Sequence, residues 1–525
     1  MTSLAEILHT NFIKNANFVA LKFSEVSYTY EEVNYKAVKV ANSLISLGAD
    51  NEAIAIVGQR NVNQYLGIIG TLYSNCHYVP INTKYKKERV LKIIKKANIR
   101  FFIGDEVSLL KIKSIIDESN ISSNFYFITP NDECSNEKWI DKKSLNKVNP
   151  LPLEFIDNPD RLIYTMFTSG STGEPKGVMV SNKNIISWLN SMTKIYDLKE
   201  GFKASQIYDL SFDLSVSDMF FTWANGGVLC ILSEDEKLMP FDYIRREKIE
   251  FWSSVPTVAS FMEKMGLLKE NVFPSIKYSV FCGEPFPKSL ADMWKKAAPL
   301  SSIENSYGPT EATIWITRFS YEINNPSYQS ISSILPIGKI YDGHEMKLIN
   351  ENNSLITGNN QKGELVYKGP QITLGYLNNE KKTKESFRNF DWDSEGAIWY
   401  RSGDIGFINE NGDFECLGRT DNQIKIAGRR LEIGEVETAI RKYEKTKDAI
   451  IIPLRDENNL VKYLIAFSTI KLSKDEEKFV KLDLNNQIEK IFIPKKIIFI
   501  PKLPLTYSGK VDRKLLESKL VTDHE

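Results

Sequence analysis

The stretch YTMFTSGSTGEPKGV, residues 164–178, joins an apolar segment to a loop rich in glycine and hydroxyl side chains. Glycine lets the backbone approach an anion closely, and serine and threonine add hydroxyl donors to the backbone N–H groups. Lys176 adds a positive charge just after the loop. The pattern indicates a phosphate-binding loop, although its spacing differs from that of the GxxxxGK[ST] motif. A flexible surface loop of the same composition is the alternative at this point.

Short apolar runs on both sides of this loop alternate with helix-like segments. EAIAIVG (52–58) and CHYVPI (76–81) are typical of strands, whereas NQYLGIIGTLYSN (63–75) and PTVASFMEKMG (256–266) are typical of helices. Such alternation predicts mostly parallel sheets with helices packed on their faces. Residues 131–160 are polar and contain prolines, which predicts a surface connection between two such sheets.

The pattern changes from about residue 330 onward. GELVYKG (363–369) and the segment 398–419 contain short strands separated by Gly-Asp and Asn-Gly turns, which predicts a small antiparallel unit. Four apolar residues then recur at helical spacing: Ile433, Val436, Ala439 and Ile440. We place a domain boundary near Asp421, between an N-terminal domain of residues 1–420 and a C-terminal domain of residues 421–525.

The charge balance restricts the class of partner. Lysine plus arginine and aspartate plus glutamate both number 67, so the formal net charge is zero. Nucleic acid or an anionic membrane as the main partner calls for a basic excess, so neither is expected. No apolar run approaches the roughly 20 residues of a membrane span, and the N-terminal residues show no signal-peptide pattern.

Cysteine and histidine usage restricts the chemistry. The cysteines are scattered and never form a CxxC pair: Cys76, Cys134, Cys230, Cys282 and Cys416. This spacing argues against a disulfide framework or a zinc site and favours a reducing, cytoplasmic compartment. There are four histidines. The two that lie away from the termini, His77 and His344, have no supporting motif, so we expect no histidine base.

Five motifs occur along the chain in the order FTSGSTGEPKGV, NSYGPTEATIW, YRSGDIG, GRTDNQIKIAGRRLEIGEVE and LPLTYSGKVDRK. Together they resemble the adenylate-forming superfamily, in particular the amino-acid adenylation domains of nonribosomal peptide synthetases. The resemblance covers nearly the whole chain. It implies an α/β (mixed α+β) fold: a large N-terminal domain of two layered sheets with a small distorted β-barrel unit, followed by a small mobile α+β domain.

The resemblance implies a reaction in two halves. A substrate carboxylate first attacks the α-phosphate of ATP, giving an acyl-adenylate and pyrophosphate. A thiol then attacks the adenylate, and AMP leaves. Because the first nucleophile is already ionised, no general base is needed, which agrees with the scarcity of histidine. Positive charge, Mg²⁺ and oriented donors would carry the catalysis.

The family's functional positions transfer to this sequence residue by residue. Lys510 would be the catalytic lysine, Lys176 would act at the phosphates, and Glu311 would help to hold Mg²⁺. The positions for ATP and AMP are Thr168, Ser169, Gly170, Ser171, Thr172, Gly173, Gly283, Glu284, Asn305, Tyr307, Gly308, Thr310, Asp404 and Arg419. Among these, Tyr307 would pack on the adenine and Asp404 would accept the ribose hydroxyls.

In the second half, family members rotate the C-terminal domain about a hinge that corresponds to Asp421. The rotation would withdraw Lys510 and bring KIAG (425–428) toward the channel for a phosphopantetheine arm. Cys416 stands where many relatives have an aromatic residue, which implies looser packing beside the nucleotide. We find no carrier-protein signature, so we expect a free-standing enzyme that loads a separate carrier protein.

The stretch FDLSVSDMF (212–220) bears on the acid that is activated. In amino-acid adenylation domains the aspartate of this motif, here Asp213, pairs with the α-ammonium group of the substrate. A buried carboxylate needs a partner, and a bound ammonium provides one. The alternative from the local sequence is that Asp213 only caps a helix.

The family's pocket positions predict a narrow side-chain cavity. They are Leu214, Ser217, Ser253, Val280, Cys282, Ser306, Ile314 and Trp315. Trp315 would fill the floor, although it is also typical of a core residue in the strand TIWIT. We therefore expect a small or short polar amino acid such as glycine, alanine, serine or cysteine. FDLSVSD and FCGE also resemble D-alanine–carrier-protein ligases, so D-alanine stays open.

Two further readings are compatible with the sequence. A CoA ligase for a small carboxylic acid would share the fold but would not need Asp213 for an amine. A nucleotide-sensing protein without catalysis would share the nucleotide site. The retention of Lys510, Glu311, Asp404 and Lys176 argues against the second alternative.

Overall fold

The computed structural model describes residues 2–119, 121, 124–134, 136, 138–168, 174–236, 239–323, 333–419, 423–456, 460–505 and 511–522. The helices are α1 (Leu4–Lys14), α2 (Tyr30–Ser46), α3 (Val62–Tyr73), α4 (Lys87–Lys96), α5 (Glu106–Asp117), α6 (Lys142–Asn146), α7 (Asn182–Ile195), α8 (Leu214–Ala224), α9 (Phe241–Glu247), α10 (Pro256–Lys264), α11 (Lys288–Ala297), α12 (Glu380–Ser386), α13 (Ile433–Ile440), α14 (Lys474–Gln487) and α15 (Arg513–Thr522). The first fifteen strands are β1 (Val19–Phe23), β2 (Val26–Thr29), β3 (Ala53–Val57), β4 (His77–Ile81), β5 (Phe101–Gly104), β6 (Tyr126–Ile128), β7 (Leu162–Thr168), β8 (Lys176–Ser181), β9 (Lys203–Gln206), β10 (Val228–Ile231), β11 (Phe251–Ser254), β12 (Tyr278–Cys282), β13 (Ser302–Tyr307), β14 (Thr317–Tyr321) and β15 (Lys339–Ile340). The remaining strands are β16 (Glu345–Ile349), β17 (Leu355–Ile356), β18 (Gly363–Lys368), β19 (Phe387–Arg388), β20 (Trp399–Ile408), β21 (Phe414–Arg419), β22 (Gln423–Ile426), β23 (Arg429–Glu432), β24 (Ile450–Arg455), β25 (Val461–Ser468) and β26 (Lys496–Phe499).

The first sheet has six strands in the order β6-β5-β3-β4-β7-β8. Its pairs are parallel except for β7 and β8, which are antiparallel and flank the phosphate-binding loop predicted from the sequence. Strands β3 and β4 are buried along their whole length. Continuous apolar strands of this kind are typical of parallel sheets covered on both faces.

The second sheet has nine strands in the order β15-β14-β13-β12-β11-β9-β10-β1-β2. Its centre, from β13 to β1, is parallel, and antiparallel strands close both edges. Because ligands of open parallel sheets bind at the carboxyl ends of the strands, the ends of β9, β11, β12 and β13 are where a site is expected.

Helices α1, α2, α3 and α8 pack against one another, with α3 on strands of the first sheet and α8 on strands of the second. One hydrophobic core extends from Leu4 to Phe414 and includes residues of both sheets. Burying a large apolar side chain contributes about 1.5–3 kcal/mol, so this shared core fixes the two sheets relative to each other.

A third, antiparallel sheet has the order β17-β16-β18-β20-β19, and β21 pairs with β20. It is the small antiparallel unit that the sequence predicts after residue 330. The predicted Gly-Asp turn is wrong, because Gly403 and Asp404 lie within β20 and are accommodated by irregular strand pairing, whereas the turn at Asn411-Gly412 is confirmed. The C-terminal part has the hairpin β22–β23 and a sheet in the order β24-β25-β26, with hydrophobic clusters formed by residues 424–492 and 450–520. The boundary at Asp421 itself lies outside the described residues and stays a prediction.

The fold class predicted from the sequence is confirmed. Strand and helix types agree for the quoted segments, including the helix on which Val436 and Ile440 recur. The segment 131–160 contains the short helix α6 and connects β6 to β7. Both strands belong to the first sheet, so the prediction that this segment joins two sheets is wrong, because a polar composition indicates a connection but not which sheets its flanking strands enter. Among the helices of the described residues, none is long and apolar enough to cross a membrane.

Candidate active site

A cavity of about 350 Å³ lies where β12, β13 and α8 meet the third sheet and the β22–β23 hairpin. Its wall includes most of the positions that the sequence singles out. They are Thr168, Asp213, Leu214, Cys282, Gly283, Glu284, Asn305, Ser306, Tyr307, Gly308, Thr310, Ile314, Asp404 and Arg419. Residues from four of the five ordered motifs, together with residues of FDLSVSDMF and FCGE, therefore line one cavity.

Asp213 lies at the N-terminus of α8, in the N-cap position, but its side chain makes no capping hydrogen bond. The residue is 8% exposed, and its Oδ2 atom has no hydrogen-bond partner among the described residues. Burial raises the pKa of the Asp213 carboxyl to about 6, against the opposing effects of the Thr310 hydroxyl and the Lys425 ammonium. Such a carboxylate is suited to bind a cationic ligand group.

The cavity extends only a short distance beyond Asp213. Leu214, Cys282, Ser306 and Ile314 line it, and burial raises the pKa of the Cys282 thiol to about 12, so that this wall is uncharged. Four other predicted pocket residues are no more than 1% exposed and lie behind this wall: Ser217, Ser253, Val280 and Trp315. A ligand side chain at this end therefore has little space.

The residues behind the wall are held by their own contacts. Ser217 Oγ donates to the Leu214 carbonyl oxygen at 2.6 Å. Trp315 Nε1 contacts the Met192 sulfur at 3.2 Å, and its ring packs edge-on against Trp188. These contacts favour the core position for Trp315. The expected strand over TIWIT is wrong, because Thr313 and Ile314 have positive φ and β14 begins only at Thr317.

The other end of the cavity is polar. The Tyr307 hydroxyl donates a hydrogen bond to Asp404 Oδ2 and lies 2.7 Å from the Tyr367 hydroxyl. Arg419 Nη1 is 3.0 Å from Asp404 Oδ1. Strand β20 presents Asp404 opposite Arg419 of β21, because the two residues are direct partners in the antiparallel pair. An aromatic ring beside a fixed carboxylate is a suitable site for a nucleoside.

Backbone and amide groups complete this end. Asn305 Nδ2 donates to the carbonyl oxygens of Leu335 and Pro336, so the side chain has only its oxygen to offer a ligand. At Gly308 an added Cβ would lie 2.4 Å from the Trp315 Cα, so only glycine fits there. Glu284 Oε2 accepts from the Thr257 hydroxyl at 2.6 Å.

Glu311 is fully buried, and both of its carboxylate oxygens have partners. Oε1 accepts from the Tyr376 hydroxyl at 2.8 Å, and Oε2 lies 2.9 Å from Arg430 Nη1. Burial alone would raise the pKa of Glu311, but Arg430 and Tyr376 outweigh it and hold the pKa below its ordinary value. This position therefore stabilises a carboxylate beside a cation, which at present is a guanidinium from β23.

Lys176, at the start of β8, pairs with Glu432 Oε1 at 3.6 Å. Burial and the nearby Arg430 lower the pKa of its ammonium. Thr168 lines the cavity at the end of β7. Ser169, Gly170, Ser171, Thr172 and Gly173, together with Asp421 and Lys510, lie outside the described residues.

The β22–β23 hairpin reaches into the site from the C-terminal part. Its turn residues Ala427 and Gly428 both have positive φ, 48° and 74°, as two-residue hairpin turns require. Gly428 N donates to Glu284 Oε1 at 2.7 Å, and a Cβ at Gly428 would lie 2.6 Å from the Val255 Cγ1. The turn thus lies against the wall of the cavity, in the part of the segment 425–428 that the sequence motif identifies.

Arg430 and Glu432 are site residues that the sequence analysis missed. Successive residues of a strand point to opposite faces, so these two share a face of β23 and contact Glu311 and Lys176 respectively. A signal for them exists in the sequence: opposite charges two residues apart, directly after an Ala-Gly turn. Their partners depend on how the C-terminal part docks, which that signal does not contain.

The chemistry available is electrostatic. Within the described residues no group of three or more His, Cys, Asp or Glu side chains could hold a metal. A single carboxylate together with ligand phosphates is a common way to hold Mg²⁺, and Glu311 already accommodates a positive charge. The residues present therefore fit one Mg²⁺ at Glu311 once Arg430 is withdrawn.

Comparison with known proteins gives consistent matches over the chain. The family model described as AMP-binding enzyme matches residues 9–377, and the one described as AMP-binding enzyme C-terminal domain matches residues 435–510. A protein named D-alanine–D-alanyl carrier protein ligase, from Staphylococcus haemolyticus, is 29% identical over 98% of each chain. The protein of the same name from Bacillus licheniformis is 27% identical over 94% of this chain and 95% of its own.

A solved structure agrees with these matches. The crystal structure of the Vibrio cholerae adenylation domain AlmE, in complex with glycyl-adenosine-5'-phosphate, superposes with a TM-score of 0.88 at 26% identity. The match covers 99% of this chain and 98% of the other. The similarity therefore extends through both parts of the fold, including the hairpin.

Proposed function

The chain belongs to the AMP-binding enzymes, and on that premise we propose that it activates a small amino acid with ATP and transfers it to a thiol. The first product is the aminoacyl-adenylate, with release of pyrophosphate. The thiol is that of the phosphopantetheine arm of a separate carrier protein. The names of the two ligase relatives and the ligand of the adenylation-domain structure support this assignment.

The observation that carries the proposal is the state of Asp213. Its carboxylate is buried, has an unpartnered oxygen, and shares a cavity with Tyr307 and Asp404. An ammonium group is the ligand that such a carboxylate requires, since an unpaired buried charge is costly. We expect a nucleotide bound beside Tyr307 and Asp404 to direct its α-phosphate toward the amino acid held at Asp213.

In the first half-reaction the chain's residues neutralise and orient two anions. The loop before Lys176 would hold the β- and γ-phosphates, and Lys510 would contact the substrate carboxylate and the α-phosphate. Glu311 would hold Mg²⁺, which would supply further positive charge at the phosphates. No proton is removed from the attacking carboxylate, so the absence of a histidine motif at the site has no consequence for this step.

The second half-reaction suits the arrangement in the structure. Here β23 pairs with the two residues that we assign to Mg²⁺ and the phosphates, with Arg430 on Glu311 and Glu432 on Lys176. Glu311 and Lys176 would be available to Mg²⁺ and to phosphate oxygens only when the hairpin is withdrawn from them. The thiol then attacks the acyl carbon, the C–O bond to AMP breaks, and AMP departs. We propose that residues 421–525 turn about Asp421 between the halves.

The substrate is a small α-amino acid, with glycine and D-alanine as the leading candidates. The shallow wall of Leu214, Cys282 and Ile314 supports this size class, as do the D-alanine ligase relatives and the glycyl-adenylate in the AlmE structure. Of the alternatives, a CoA ligase for a small carboxylic acid would leave Asp213 without a cationic partner.

The test is ATP–pyrophosphate exchange by the full chain with a panel of amino acids and their des-amino analogues. We expect exchange with glycine or alanine and at least a hundredfold less with acetate or propionate. Equal exchange with the des-amino acids would overturn the proposal in favour of a carboxylic-acid ligase. ATP binding with no exchange for any acid would indicate a nucleotide-binding protein without this activity.

A further inference from the structure

The region behind the amino-acid end of the cavity contains a tyrosine from outside the predicted pocket positions. Tyr208 lies in the loop between β9 and α8, five residues before Asp213. Tyr208 is 8% exposed, and its hydroxyl oxygen is 3.2 Å from the Ser253 Oγ. The hydroxyl is also within electrostatic reach of Asp218 on α8 and of Cys282 on β12. The ring therefore occupies the space between β11 and α8, behind the cavity wall.

This position matters because Ser217 and Ser253 are the residues that a deeper side-chain pocket would expose. Both are small and no more than 1% exposed. Small residues at these places would create a pocket if nothing filled the space beside them. The Tyr208 hydroxyl contacts Ser253, one of the two serines. The volume beside the serines is therefore filled by the Tyr208 side chain and is not available to a substrate.

The loop that carries Tyr208 is fixed on both sides. Before it, the Arg60 guanidinium donates to the carbonyl oxygens of Gln206 and Ile207 and pairs with Glu234 Oε1 at 2.8 Å. After it, Asp209 accepts from the Ser211 backbone N and hydroxyl, at 3.0 and 2.7 Å.

Asn82, which follows β4 of the first sheet, also donates to Asp209 Oδ2. Hydrogen bonds to charged groups are among the stronger ones in proteins. Two such anchors from the first sheet, Arg60 and Asn82, hold the residues next to Tyr208. The ring is therefore held in place and does not behave as a side chain that swings aside to admit a longer substrate.

We propose that Tyr208 is a specificity-determining residue that closes the side-chain pocket and restricts the substrate to amino acids with no side chain or a single methyl group. This inference rests on the proposed function. Without the ring, the pocket would extend toward the Ser253 hydroxyl and the Asp218 carboxyl. The enlarged pocket would then accept a longer side chain, including one that ends in a hydroxyl.

The experiment compares the wild-type chain, Tyr208→Ala and the control Tyr208→Phe in ATP–pyrophosphate exchange. The control keeps the ring and removes only the hydroxyl. The substrates are glycine, both alanines, serine, 2-aminobutyrate and norvaline. For Tyr208→Ala we expect the kcat/KM ratio of 2-aminobutyrate to glycine to rise at least tenfold. For Tyr208→Phe we expect that ratio to stay within threefold of wild type.

Three results would overturn the inference. They are an unchanged order of substrates in Tyr208→Ala, the same rise in Tyr208→Phe, or exchange of norvaline by the wild type at the glycine rate. If Tyr208→Ala does not fold, Tyr208→Leu gives the same comparison with a smaller loss of volume. Failure of every amino acid with the wild type would instead refute the proposed function, so the two failures are distinguishable.

Discussion

Asp213 and Glu311 are buried carboxylates within electrostatic reach of each other, and they have opposite surroundings. Glu311 has Arg430 and Tyr376 as partners, and its pKa lies below the ordinary value. Asp213 keeps an unpartnered oxygen, and its pKa is raised to about 6. The difference indicates where the cation that pairs with each carboxylate comes from. The partner of Glu311 comes from the protein, whereas that of Asp213 must come from a ligand.

Removing the charge of Asp213 should give the largest effect. We expect Asp213→Asn to lower kcat/KM for the amino acid by about 10²–10⁴, since breaking a buried pair costs about 3–5 kcal/mol. ATP affinity should stay within threefold, because the nucleotide end of the cavity is unchanged. Exchange kinetics and nucleotide titration measure the two quantities. An unaffected kcat/KM would show that Asp213 is not the anchor.

Arg430→Met tests the other carboxylate of the comparison, because it leaves Glu311 buried and without its cationic partner. In the docked arrangement this costs a few kcal/mol, so we expect transfer from preformed adenylate to pantetheine to slow at least tenfold. Pyrophosphate exchange should stay within threefold, since in the proposed first half-reaction Glu311 would hold Mg²⁺ in place of Arg430. Single-turnover transfer measures the first rate.

Lys445→Met is the matched control for Arg430→Met, because it removes an exposed pair with Glu476 from the same C-terminal part. Exposed pairs contribute little, so both rates should match the wild type. Equal slowing of exchange and transfer in Arg430→Met would contradict a role confined to the second half.

The raised pKa of Asp213 predicts a pH dependence. The charged groups within its reach are Lys425, which lowers the pKa, and Glu311, which raises it. Because the free carboxyl is protonated below about pH 6, kcat/KM for the amino acid should fall about tenfold per unit below that pH. In Asp213→Asn this part of the profile should be absent. A half-point near the ordinary aspartate value would contradict the burial described here.

Tyr376→Phe should give the smallest effect. It removes one hydrogen bond to Glu311 while Arg430 remains, so we expect a loss of about 1 kcal/mol in the free energy of unfolding. The shift of the urea midpoint measures it. Tyr35→Phe, on a ring that is 51% exposed, serves as the control and should unfold as the wild type does. A loss of stability as large as that expected for a broken buried ion pair would contradict the claim that Arg430 stabilises Glu311 more than Tyr376 does.

Much of the fold could be predicted from local sequence, because strand and helix periodicity act over a few residues. EAIAIVG became the strand β3, and the apolar spacing around Val436 became α13. The sequence motifs also identified Asp213, Tyr307 and Asp404, which line one cavity in the structure. These positions could be found because each belongs to a motif of the family that the sequence resembles. Asp213 and Tyr307 lie at the start of α8 and the end of β13, whereas Asp404 lies within β20.

The remaining site residues depend on contacts between distant segments. Arg430 and Glu432 contact Glu311 and Lys176 only because the β22–β23 hairpin docks beside them, and the local sequence contains no information on that docking. Tyr208 precedes its motif, and its role depends on Arg60 and Asn82, more than 120 residues earlier. Pocket positions such as Ser253 were predictable, whereas the side chain that fills the space beside them was not.

The most direct test of the claim that Asp213 recognises the substrate ammonium compares two substrates in two forms of the enzyme. The quantity is the ratio of kcat/KM for glycine to that for acetate, measured for the wild type and for Asp213→Asn under identical conditions. If the Asp213 carboxylate recognises the substrate ammonium, the ratio is large in the wild type and falls at least a hundredfold in the variant. The same ratio in both enzymes would contradict the account.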